Sequence, residues 1–209
     1  MFTPKNLCAA TALCLLPMGA YAGSVELSGG LAASLYFDKD LDHTSETVEG
    51  YVEAAYGGLY GGIWIGSLDD PADDVEYDLY IGYAGDVNDN FSYDVYVTGY
   101  WGDDSGYWTY DVTTDLTYAF SDSVAATYEL IWDPDADTFD NSIAVEFAVN
   151  DKWTITPLVG IDGADDTYGE LSFLYGLTDE VSFEVLFEDS ESASPMITFT
   201  AYYDFSIAG

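Results

Sequence analysis

Residues 181–188 read Val181-Ser182-Phe183-Glu184-Val185-Leu186-Phe187-Glu188. In an extended chain Val181, Phe183, Val185 and Phe187 share one face, and Ser182, Glu184 and Glu188 take the other. Alternation with period two marks a strand that has one apolar and one polar side. The same rhythm runs through the chain and predicts strands at 25–37, 48–56, 59–67, 75–84, 91–101, 107–120, 124–132, 142–149, 153–161, 169–177, 181–188 and 196–205. Beyond the N-terminal segment, acids interrupt every apolar run well before 18 residues, so no stretch suits a transmembrane helix.

Composition narrows the possibilities. The 209 residues carry 39 Asp and Glu against three Lys and no Arg, a formal net charge of −36. Yet 49% of residues are hydrophobic and 17% aromatic, which a disordered acidic tail would lack. Three lysines cannot neutralise a nucleic-acid backbone, so no nucleic-acid partner is expected. Phosphate-loop and Arg-clamp enzymes are excluded on the same ground.

The chain opens with Lys5, an apolar run over 7–19 and Ala20-Tyr21-Ala22. A cationic start, a short apolar core and a small-x-small site form a secretory signal peptide over 1–22, followed by one domain over 23–209. Both cysteines, Cys8 and Cys14, leave with that leader, so the exported chain has neither disulfides nor thiolate metal sites.

An exported, cysteine-free, alternating chain that enters a membrane must close into a barrel, because hydrocarbon satisfies no backbone group. The connections support this. They are short after even strands (57–58, 121–123, 150–152, 178–180, and 85–90 at the longest) and mostly longer and acidic after odd ones (38–47, 68–74, 102–106, 133–141, 162–168, 189–195). Short turns on one rim and longer loops on the other are the pattern of outer-membrane barrels. Aromatics sort likewise: Phe37, Trp101, Trp108 and Trp132 at the long-loop ends, and Tyr56, Phe91, Phe120, Trp153, Tyr175 and Phe205 at the short-turn ends. The expected fold is an all-β, transmembrane, antiparallel up-and-down barrel of 12 strands. A soluble sandwich with its apolar faces packed together is the competing fold.

The stretch Gly50-Tyr51-Val52-Glu53-Ala54, Gly58-Leu59-Tyr60-Gly61-Gly62-Ile63-Trp64, Val75-Glu76-Tyr77-Asp78-Leu79-Tyr80-Ile81-Gly82-Tyr83 and Phe91-Ser92-Tyr93-Asp94 resembles the proteobacterial TorF-type porin family, also catalogued as the Gcw conserved-hypothetical family. The likeness covers about a quarter of the exported chain. The family's Tyr-x-x-Arg-Gly element in the first strand is replaced here by Ser34-Leu35-Tyr36-Phe37-Asp38, so any role of that Arg is missing. The resemblance implies an outer-membrane location and a pore, and names no substrate.

Twelve strands at ~4.8 Å spacing and ~40° tilt give a backbone radius of roughly 12 Å. The alternation turns Glu26, Glu49, Glu53, Glu76, Asp78, Asp94, Asp111, Asp115, Glu129, Glu146, Glu170, Glu184, Glu188 and Asp204 inward, and no strand contains Lys or Arg. Inward Tyr36, Tyr51, Tyr80, Tyr96, Tyr100 and Tyr202 can donate to these acids. Such a lumen attracts cations and repels anions. The expected function is therefore porin-like passive diffusion of small cations or small neutral solutes. The alternative is a non-conducting structural or adhesive barrel that displays acidic, cation-binding loops.

Asp133, Asp135 and Asp137 alternate within one loop, the oxygen-rich pattern that Ca²⁺ or Mg²⁺ favours. The run lacks the Gly at the sixth position and the Glu at the twelfth of an EF-hand, so a solvated acidic loop with loose divalent-cation binding is the reading, and no other cofactor is expected. An outer-membrane enzyme would need a Ser–His pair on the wall; the sole histidine, His43, sits in the acidic segment 38–47 and reads as a surface residue, so no catalytic group is assigned. Expected partners are outer-membrane lipid, lipopolysaccharide and the barrel-assembly machinery, since the chain ends on an alternating strand reaching Phe205.

Overall fold

A computed structural model describes residues 24–208; the signal peptide expected over 1–22 lies outside the described residues. The strands are β1 (Glu26–Asp38), β2 (His43–Tyr56), β3 (Leu59–Ser67), β4 (Val75–Asn88), β5 (Phe91–Gly102), β6 (Gly106–Ser121), β7 (Val124–Asp133), β8 (Thr138–Asn150), β9 (Trp153–Ile161), β10 (Thr167–Gly176), β11 (Val181–Ser190) and β12 (Met196–Ala208). Each pairs antiparallel with its sequence neighbours, and β1 closes on β12 from Leu27↔Ala208 to Asp38↔Met196. Closure leaves no unpaired edge, which an open sheet in lipid could not tolerate.

The burial pattern excludes a sandwich. Leu31, Val52, Leu79, Ile81, Ile143, Val159, Phe183 and Phe199 are exposed, whereas Ser34, Asp94, Thr98, Thr113, Ser142, Glu184, Thr198 and Thr200 are buried. Apolar outside and polar inside inverts a water-soluble core and matches a barrel wall facing hydrocarbon.

Outward aromatics gather in two bands. At the loop rim Phe37 meets Phe199 at 5.6 Å, Trp101 stacks on Tyr77 at 6.0 Å, and Trp132 stacks on Phe139 at 6.2 Å. At the turn rim Tyr118 meets Phe120 at 5.0 Å, Trp153 meets Tyr175 at 4.9 Å, and Tyr203 meets Phe205 at 5.7 Å. One member of the expected outer girdle is displaced. A bulge lies where Tyr100 pairs with Thr109 and Trp101 with Tyr107. The extra residue is Trp108, whose ring lies against Gly102 and whose indole N–H donates to the Ser105 hydroxyl. Tyr107 takes the outward place, edge-on to Trp101 at 5.7 Å. One inserted residue flips side-chain facing, so simple alternation fails there.

The loop rim is also lower in loop and richer in strand than the sequence suggests. The expected loops 38–47 and 133–141 shrink to 39–42 and 134–137, and on the opposite rim the expected turn 85–90 shrinks to 89–90. Polar residues 43–47 extend β2, with Tyr36↔Ser45 and Leu35↔Glu46 in register. The ladder needs only backbone groups, so it continues past the apolar stripe.

Acids at this rim build the turns. Asp38 Oδ1 accepts from the Asp40 N–H at 2.9 Å and the Asp42 N–H at 3.0 Å; Asp162 Oδ1 accepts from the Ala164 N–H at 2.8 Å and the Asp166 N–H at 3.0 Å. Asp133 Oδ1 accepts from the Ala136 N–H at 2.8 Å. Each of these loops also holds one residue in the left-handed region: Leu41 (φ 64), Asp137 (φ 53) and Asp165 (φ 67). Short acids serve here as local acceptors for backbone donors.

Segment 68–74 is tied to 103–105 by a reciprocal clasp. Buried Asp73 Oδ1 accepts from the Asp104 N–H at 2.9 Å and the Ser105 N–H at 2.8 Å. In return Asp103 Oδ1 accepts from the Asp74 N–H at 3.0 Å and the Val75 N–H at 3.1 Å. The Ser105 backbone N–H, against desolvation and with help from the Ser105 hydroxyl and the Asp104 N–H, holds the Asp73 carboxyl below the usual range. A depressed folded-state value means that this clasp stabilises the fold above the unfolded value of about 3.9, and that the stabilisation is lost as pH falls through the folded one. Asp73→Asn is accordingly expected to speed amide exchange at 68–74 and 103–105 at neutral pH, with the difference from the wild type closing in strong acid; unchanged exchange would refute the clasp.

Candidate functional site

Opposite the outward apolar stripe the strands carry many of the chain's acids. Backbone register places Glu26, Glu49, Glu53, Glu76, Asp78, Asp94, Asp111, Asp115, Glu129, Glu146, Glu170, Glu184, Glu188 and Asp204 on this inward face. Glu26 and Glu146 are exposed, Asp94 and Glu184 are buried, and the others are half-buried. Asp94, Asp115 and Glu129 are direct cross-strand neighbours on β5, β6 and β7, and Glu170 stands directly opposite Glu188. Like charges so placed repel, which makes the arrangement costly to the fold.

Among the described residues both lysines sit at rims. Lys39 pairs with exposed Asp40, and Lys152 lies over the Tyr175 ring at 5.5 Å. Hydroxyls take the place of cations beside the inner acids. The Tyr60 phenol donates to Asp94 Oδ1 at 2.7 Å, Tyr100 to Asp111 Oδ2 at 2.6 Å, Tyr202 to Glu184 Oε2 at 2.6 Å, and Tyr51 to Asp204 Oδ1 at 3.1 Å. Ser172 donates to Glu184, and Thr198 to Glu188 at 3.4 Å. A phenol satisfies an acceptor without cancelling its charge.

How the phenols reach these acids is a feature that alternation alone does not reveal. Tyr51 on β2 crosses Gly30 on β1 to Asp204 on β12. Tyr80 on β4 crosses Gly62 on β3 to Glu53 on β2. Tyr60 on β3 crosses Gly82 on β4 to Asp94 on β5, and Tyr168 on β10 crosses Gly160 on β9 to Asp140 on β8. A Cβ on Gly82 would lie 2.5 Å from Tyr60 Cζ, and one on Gly62 would lie 2.6 Å from Tyr80 Cζ. The rings therefore lie flat over glycine, and each tip is delivered to an acid that a perpendicular side chain would miss. Tyr60 and Tyr168 are the members that strand alternation alone did not single out. The usable sequence signal is an inward Gly beside an inward Tyr.

Asp133, Asp135 and Asp137 have separate duties. Asp133 Oδ1 also accepts from the Thr109 hydroxyl at 3.2 Å, Asp135 Oδ2 accepts from the Tyr107 phenol at 3.0 Å, and Asp137 is the left-handed turn residue. Among the described residues no group of three or more His, Cys, Asp or Glu is placed to hold a metal ion. His43 leans on Phe37 at 5.6 Å, with Nε2 3.1 Å from Glu46 Oε2. Ser45 is on the inward face opposite Tyr36, whereas His43 pairs with outward Phe37, so the two do not form a nucleophile–base pair.

No family model matches the chain, and no curated protein does. Solved structures match its fold. The KdgM porin superposes with a TM-score of 0.70 at 9% identity, covering 84% of this chain and 99% of its own. The NanC porin gives 0.59 at 10% identity over 84% and 98%, and the CymD monoaromatic hydrocarbon channel gives 0.57 at 9% identity over 97% and 94%. KdgM is also solved in complex with a disordered oligogalacturonate, at a TM-score of 0.68 and 9% identity over 85% and 99%. The neighbours are porins and channels. At such identities they establish the closed barrel architecture alone, and the likeness of residues 50–94 to TorF-type porins is supported no further than that architecture.

Proposed function

We propose that this chain is an outer-membrane, porin-type channel that passes small cations by diffusion, and that it is not an enzyme. One observation carries the reading: inward carboxylates on every one of the strands β1, β2, β4–β8 and β10–β12, with no Lys within any strand and with hydroxyls as their partners. Unneutralised charge in a narrow, low-dielectric enclosure concentrates counter-ions and repels co-ions. The two aromatic bands support a membrane setting, and the even strand number puts the free ends of β1 and β12 on the turn rim, the periplasmic side in this reading. The neighbour solved with oligogalacturonate sharpens the contrast. That ligand is a polyanion, and the acidic wall here would repel it despite the shared barrel.

In planar bilayers under a KCl gradient, the reversal potential is expected on the K⁺ side. The preference should shrink near 1 M salt, where the screening length falls to about 3 Å. Chloride preference, or absence of conductance, would overturn the reading.

A further inference from the structure

Two buried carboxylate oxygens lack a hydrogen-bond partner among the described residues: Asp78 Oδ1 and Asp115 Oδ1. Their surroundings differ. Asp115 stands between Asp94 and Glu129. Asp78 stands between two aromatics, with Trp64 beside it on β3 and Tyr100 beside it on β5, and Tyr80 two residues along the same face of β4. Tyr51 in turn flanks Trp64. The inward positions of β6–β9 present mostly Thr, Ser, Ala, Ile, Leu, Gly and acids, with exceptions in Trp108 at the rim and the Tyr168 ring over Gly160. Four aromatics, Trp64, Tyr100, Tyr80 and Tyr51, thus gather about Asp78.

The neighbours leave the Asp78 oxygen unserved. Tyr100 donates to Asp111 at 2.6 Å, Tyr80 to Glu53, and the Trp64 ring lies over Gly66. A buried acceptor without a donor is unfavourable, and rotation of the carboxylate about its last torsion exchanges its two oxygens. A protonated amine supplies what is missing: an N–H donor, a positive charge for the carboxylate, and a cation for the π-faces. A potassium ion supplies only the charge. An aromatic body on the amine adds ring contact with Trp64.

We propose that Asp78, with Trp64, Tyr80 and Tyr100, forms a binding site for protonated organic amines inside the barrel. The proposal deepens the cation-channel reading and rests on it for access to the site. The probe is benzylammonium, compared with methylammonium, on the full barrel. Block of K⁺ current in bilayers is one readout. Calorimetric titration of the detergent-folded barrel is the second, and it works whether or not the channel conducts.

Benzylammonium is expected to act at a concentration at least about threefold below methylammonium, as ring contacts of this kind predict. Asp78→Asn should weaken it about tenfold or more, as loss of a charged hydrogen bond implies. Trp64→Leu should weaken it about threefold, while Trp64→Phe, which retains an aromatic face, should stay close to wild type. Equal action of the two amines, or an unchanged response in both Asp78→Asn and Trp64→Leu, would overturn the site. Chloride preference with benzylammonium binding intact would overturn the channel reading and support the site. Potassium preference without benzylammonium binding would overturn the site alone.

Discussion

Leu79→Arg is expected to lower folding stability in lipid vesicles by about 2–4 kcal/mol, the cost of a cation near the middle of a barrel's lipid face. Leu79 is 49% exposed and lies between Tyr77 and Tyr83, one in each aromatic band, so in the proposed membrane setting its side chain meets hydrocarbon. Glu76→Arg places the same cation on the inward face, where Glu76 is flanked by Gly66 and Gly102 and has Asp78 two residues along the same face. That change should cost far less and should weaken potassium preference. Urea titrations of both variants in vesicles, with the reversal potential of the second, make the comparison. Equal losses would mean that the two faces are not lipid and lumen.

The second large effect concerns the glycine-crossing tyrosines. Tyr60→Phe is expected to cost about 1.5–3 kcal/mol, because the Asp94 carboxylate it serves through both oxygens (2.7 and 2.8 Å) is buried. Gly82→Ala should cost about 1–3 kcal/mol by a different route, since the added methyl occupies the place of the Tyr60 ring. Once either change has broken the contact, the other has less to remove. The double variant should therefore fall short of the sum by about 1 kcal/mol or more. Additive losses would show that Gly82 is present for a reason other than the passage of Tyr60.

Much of this molecule is legible before folding. In Val181–Glu188 the order of side chains alone assigns the face, and in the structure Phe183 and Phe187 are exposed while Glu184 is buried. The scarcity of basic partners is legible too, because no strand contains Lys or Arg. Trp108 is not, because a bulge is a local count of backbone residues on two strands, and side-chain order in one strand carries no trace of it. The hydrogen-bonding duties of the loop acids are hidden in another way. Asp133, Asp135 and Asp137 have the spacing of a cation loop, yet backbone N–H groups and hydroxyls compete for the same oxygens, and distance decides that competition.

The linear chain therefore determined the strand count and the two faces, since period-two alternation is a property of side-chain order. Tertiary structure alone decided which acid receives a phenol and which does not. Tyr60 and Asp94 are 34 residues apart and Tyr51 and Asp204 are 153 apart; barrel closure and glycine-thinned strands bring them within 3.1 Å. The stranded oxygen of Asp78 likewise exists only because β3 and β5 set Trp64 and Tyr100 on either side of it.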